Sequence, residues 1–179
     1  MNRHGFLAGL MVACSVAGVA VAQEASVADE AQLAIQAAEK EVEAARASIA
    51  KAKEYMAMIP EDSPLMPDVT QVLGAASENW KTAIESLKGS KESASKIATA
   101  SNDSVANDYA LLAKVNAGVA LSGAEVVQIG VAYIDAIANN KTEALDVVRT
   151  AMQDALAASS QVQFNYERVK SLIAQKYSK

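Results

Sequence analysis

The sequence predicts an all-α protein: an antiparallel up-down-up-down four-helix bundle of long, coiled-coil-like helices, preceded by a signal peptide. Three observations predict it. Apolar residues recur in steps of three and four through four separate segments. Short breaks rich in Pro, Asn, Asp or Ser divide those segments. Strand-like alternation is absent, and long Ala-rich runs make poor strands. The expected division is residues 1–22 as signal and 23–179 as bundle, with helices at about 25–59, 68–99, 104–138 and 141–177.

The chain opens MNRHGFLAGLMVACSVAGVAVAQ. Arg3 precedes an apolar run from Phe6 to Val21, and Ala20-Val21-Ala22 is the small-x-small pattern of a signal-peptidase site. Cleavage after Ala22 and export, to the periplasm above other destinations, follow from that reading. Met11-Val12-Ala13-Cys14 loosely resembles a lipoprotein box, so anchoring through a lipidated Cys14 is the lesser alternative.

The first helix carries the stripe Ile35, Ala38, Val42, Ala45, Ile49, Ala52, Met56 and Ile59. All three prolines, Pro60, Pro64 and Pro67, follow it. Proline lacks a backbone donor and clashes with the preceding turn, so the helix must stop near Ile59. A second helix starts at Ser63-Pro64 or near Asp68 and repeats the period at Val69, Leu73, Ala76, Trp80, Ala83, Leu87, Ser90, Ala94 and Ile97. Its alanines and those of helix one predict a thin seam between these two helices, with the least apolar area per layer.

Ser101-Asn-Asp-Ser is a break full of cap residues. The third stripe runs Leu112, Val115, Val119, Ser122, Val126, Ile129, Tyr133 and Ala136. This helix is apolar over most of its surface and should be the most buried. Asn139-Asn140-Lys141 is the last break, where Asn140 suits a left-handed helix end or, with Glu143, a cap-x-x-Glu start. The fourth stripe is Leu145, Val148, Met152, Ala155, Ser159, Val162, Tyr166, Val169 and Ile173. Four matched stripes can bury one another, with sequential helices antiparallel across short connections.

Composition excludes several functions. The one His is His4 and the one Cys is Cys14, both in the signal. The bundle itself therefore has no disulfide, no imidazole or thiolate metal site and no Cys or Ser-His nucleophile. Sixteen Lys and Arg, one of them Arg3, face 21 Asp and Glu, so the basic face that nucleic acid requires is missing. No Gly-rich phosphate loop or nucleophile elbow is present. The chain reads as a non-enzyme without a cofactor.

Three features invite a functional reading. Gly118, Gly123 and Gly130 interrupt the apolar third helix at a cost of up to about 1 kcal/mol each. They mark either close packing or a face for a partner or apolar ligand. Met56, Met58, Met66 and Met152 should share one end of the bundle, where thioethers suit Cu(I), although Met also fills gaps where a bundle closes. Glu125 and Asp135 are the carboxylates whose burial would raise a pKa, although the expected arrangement points them outwards or pairs them with Lys. Tyr109, Phe164 and Tyr166 should cluster near the opposite end.

The expected role is that of an exported bundle working through protein–protein contacts, structural or adaptor, with an unknown envelope protein or a second copy as partner. The alternative is a carrier of an apolar ligand or a bundle that binds a lipid surface peripherally. Methionine-based Cu(I) binding is a minor third reading.

Overall fold

The structure, a computed structural model, describes residues 26–178. The expected signal peptide, with His4 and Cys14, lies outside the described residues. Four helices form an antiparallel bundle: α1 (Val27–Met58), α2 (Met66–Ser95), α3 (Asp103–Ala138) and α4 (Thr142–Tyr177). No strand occurs among the described residues.

Local chemistry sets the ends. Ser26 caps α1 by accepting from the Asp29 N–H at 3.2 Å, while the Asp29 carboxylate accepts from the Ser26 N–H at 3.1 Å. Pro67 sits in the first turn of α2, where its missing donor costs nothing. That helix ends at Ser95, four residues before the expected position. The hydroxyls of Ser93, Ser95 and Thr99 bond to nearby carbonyls, and tight turns from Lys96 onward replace the helical ladder. Asn102 caps α3 by accepting from the Val105 N–H at 3.1 Å.

The α3–α4 joint corrects one expectation. Asn140 has φ 52°, the Lys141 N–H donates to the Ala136 carbonyl at 2.8 Å, and the Asn140 N–H donates to Ile137 at 3.1 Å. This is a Schellman end for α3. Asn140 therefore does not open a capping box with Glu143, and α4 begins without a side-chain cap.

The cross-section is not the even square that four equal stripes suggest. α3 stands in the middle and packs against all three other helices. The α1–α2 contact is the sparsest, and the backbone of α4 approaches only α3. Sixteen residues of α3 are buried but only two, Met152 and Ala155, of α4. The reason is a second stripe on α3, Ala110, Ala113, Ala117, Ala120, Ala124, Val127, Val131 and Ile134, buried throughout. It receives α1 and α2, while Gly118 and, from the first stripe, Val126 and Tyr133 meet α4.

The thin-seam expectation changes accordingly. Ala38, Ala45, Ala76 and Ala83 join one cluster with Ala117, Ala120 and Ala124. Their small side chains admit the central helix rather than bring α1 and α2 against each other. Trp80 and Leu87 pack on the margin of that cluster.

Candidate functional site

The glycines of α3 face the chain's own helices. A Cβ on Gly123 would lie 2.9 Å from the Asn79 carbonyl oxygen and 3.2 Å from Ala83 Cβ, so α2 passes closest here. A Cβ on Gly130 would meet Val72 Cγ1 at 3.3 Å and Met152 Cε at 3.6 Å, and one on Gly118 only Val162 Cγ1 at 3.8 Å. Gly123 and Gly130 are buried, so the expected partner face does not lie on them. Gly118 is half-buried at the edge of α4.

The methionines divide. Met56 and Met66 pack on the cluster of Ile59, Val69 and Ile134 at one end of the bundle. Met152 is buried in a different cluster with Val126 and Ala155, and Met58 is 54% exposed. The four thioethers do not share one cluster, and the contacts of the three that pack are apolar, as gap filling requires. Among the described residues, no three carboxylates come together as a metal site would need.

At the opposite end, α4 is clasped to the start of α3. The Asp108 carboxylate accepts from Lys176 Nζ at 2.6 Å and from the Tyr177 hydroxyl at 2.5 Å. These two hydrogen bonds, Lys176 first, hold the Asp108 carboxyl below its ordinary pKa. Lys176 also donates to Ser104 Oγ at 2.9 Å. That distance matches a serine–lysine nucleophile pair, but the Asp108 bond raises the Lys176 pKa and keeps the amine charged. A protonated amine cannot take a proton from Ser104. A groove of about 330 Å³ lined by Val105, Tyr109, Ile173 and Tyr177 adjoins the clasp. Phe164 is not part of this aromatic group: it points outward from α4 and is 63% exposed.

A second polar spot lies between α1 and α3. Gln128 donates to the Glu41 carboxylate at 3.1 Å. Glu125, beside it, has its pKa raised by burial and then by the negative charge of Glu41. Asp135 instead pairs with Lys141 at 2.6 Å and Asn139 at 2.7 Å.

These contacts outline the least covered line of α3: Leu111 and Ala132 are exposed, and Gly118, Leu121 and Glu125 between them are half-buried. Lys114 and Gln128 beside it reach Glu30 and Glu41 on α1. Gly118 touches Val162 of α4 on the other flank. Because the backbones of α1 and α4 do not come close to each other, this side of α3 lies open between them. The sequence carried a signal for this: a helix that is apolar nearly all round, set among three one-striped neighbours, is left with a side uncovered.

Comparisons with protein-family models, with curated proteins and with solved structures return no match for this chain.

Proposed function

We propose that the chain is an exported, periplasmic, non-enzymatic helical-bundle protein that acts through protein–protein contacts in the cell envelope, in a structural or adaptor role. The observation that carries the reading is the open side of α3 between α1 and α4. Leu111 there is 40% exposed, and Leu121 and Ala132 continue the line. A largely apolar helix line, interrupted here by Glu125 and flanked by two further helices, is the kind of groove that accepts another helix. The signal-like first residues support export. The acidic balance of the chain supports a soluble protein that does not bind nucleic acid.

Photo-crosslinking residues placed at Leu111 and Ala132 test it in envelope extracts, with Glu85 on the exposed face of α2 as control. A discrete adduct from the first two sites alone is expected. A monomer that forms no adduct at either site counts against the reading.

Lipid-surface binding or carriage of an apolar ligand is the second reading. It draws on α3, the one described helix long and apolar enough to cross a membrane, most of which is buried under its neighbours. Co-sedimentation with phosphatidylcholine vesicles tests it, and an unbound protein at high lipid removes it.

A further inference from the structure

We propose that α4 exchanges between two copies of the chain, so that each copy's α3 is covered by the other's α4. The inference goes beyond the role above: it names a second copy as a partner and does not use the open side of α3 that carries that role. Four observations carry it.

First, α3 is the one close backbone neighbour of α4, and on α2 only side chains are met: Val72 and Ala75 beside Met152 and Ala155, and Asn79 through a 3.4 Å hydrogen bond from Ser159. Second, its contacts are discrete and repeatable by an identical helix. Met152 sits on Gly130, Val162 on Gly118, Arg149 donates to the Tyr133 hydroxyl at 3.3 Å, and Lys176 and Tyr177 clasp Asp108.

Third, the α3–α4 joint is residues 139–141, the shortest connection between the described helices. Short hinges are where elements swap. Fourth, this joint contains neither Pro nor Gly, whereas the α1–α2 connection carries Pro60 and Pro64. Nothing covalent therefore stops α3 and α4 from running through as one helix. Asn140 is held in the left-handed region at φ 52°, and α4 starts with no side-chain cap. Straightening relieves that residue and gives the orphan N–H groups of α4 helical partners. The Asp135–Asn139 bond is spaced four apart and survives in a continuous helix, while the Lys141–Asp135 pair is lost.

The open form is a rod of roughly 110 Å at 1.5 Å per residue. Two such rods cross antiparallel near Asn140, and each restores the four-helix packing of the other. The open side of α3 between α1 and α4 is retained, so this dimer and an envelope partner do not compete for the same surface.

The test is light scattering after size exclusion, on the full chain refolded from urea over a wide concentration range. The parent should populate a dimer at high concentration. Asn140→Ala, a good helix former that is poor in the left-handed region, should favour the open form about tenfold per chain and lower the dimer dissociation constant about a hundredfold. Asn140→Gly should shift it the opposite way. In a Cys14→Ser background, the pair Gly118→Cys and Val162→Cys reports which α4 lies on which α3. Oxidised dimer fractions should give covalent dimers and monomer fractions internally linked monomers. Parent and Asn140→Ala proteins that stay monomeric at every concentration overturn the proposal, as does a dimer whose chains remain internally linked. A monomer that still forms adducts at Leu111 and Ala132 refutes the exchange and leaves the adaptor role standing.

Discussion

Replacing each of four glycines by alanine should produce a stability ladder fixed by the space at each site. Every one lies inside a helix, so each substitution gains roughly 0.5–1 kcal/mol of backbone propensity. Gly74 has nothing within 4 Å of the added Cβ and should keep the whole gain. Gly118 should keep most of it, because 3.8 Å to Val162 Cγ1 is an ordinary contact. At Gly130 the neighbours at 3.3–3.6 Å are side-chain ends, including the flexible Met152, so the gain and the crowding should nearly cancel. Gly123 differs in kind. Its Cβ would stand 2.9 Å from the backbone oxygen of Asn79, and backbone moves only by shifting α2 away from α3. Overpacking of that sort costs about 1–3 kcal/mol, so Gly123→Ala should be destabilised by about 1–2 kcal/mol net. Thermal unfolding of a domain this size moves about 2–4 °C per kcal/mol, which separates Gly74→Ala from Gly123→Ala by roughly 3–12 °C. A Gly123→Ala protein as stable as Gly74→Ala would refute the close approach of α2 to α3.

Met152→Ala should cost about 2–5 kcal/mol in urea unfolding, whereas Phe164→Ala, on the exposed face of the same helix, should stay within about 0.5 kcal/mol. Equal losses would mean that α4 docks through another face. Glu125→Gln should stabilise the protein at neutral pH. The folded state raises the Glu125 pKa, so stability falls as pH rises past the unfolded value of about 4.3, and the gain from Gln should vanish below it. Urea midpoints at acid and neutral pH check this, and a gain that persists in acid contradicts it. Asp108 has the opposite sign. Its carboxyl is held low, so its contribution is present above the unfolded value of about 3.9 and lost as pH falls through the folded one. Asp108→Asn should therefore speed hydrogen exchange in the last turns of α4 at neutral pH and make no difference in strong acid.

The four helices were legible because each carries its own 3–4 stripe, and Pro60 and the cap-rich Ser101–Ser104 break supply the stops. The inward residues of α4, from Leu145 to Ile173, face the bundle as the spacing predicts. What spacing did not reveal is how four cylinders arrange around one another. Periodicity reports which side of a helix is apolar, not how many neighbours that side receives. α3 has two overlapping stripes, and reading only the one through Val119 and Val126 hid the alanine line through Ala117 and Ala124. The same limit misassigned the small residues of α1 and α2 to each other. The Asp108 clasp was invisible for a different cause: Lys176 lies 68 positions away, and no local pattern links them. Asn140 fell between two local rules, helix end and helix start, and the hydrogen bonds to Ala136 and Ile137 decide for the first.

Placing the organising helix third has an effect on how the molecule comes into being. A chain delivered amino end first presents α1 and α2 before anything exists for their alanine lines to grip. The Lys114–Glu30 bridge spans 84 positions, so α1 must wait for most of the polypeptide. Ordering should begin with the local α2–α3 hairpin, recruit α1 at the cost of closing a long loop, and finish with α4. Until about residue 138 has emerged, α1 and α2 should stay pliable.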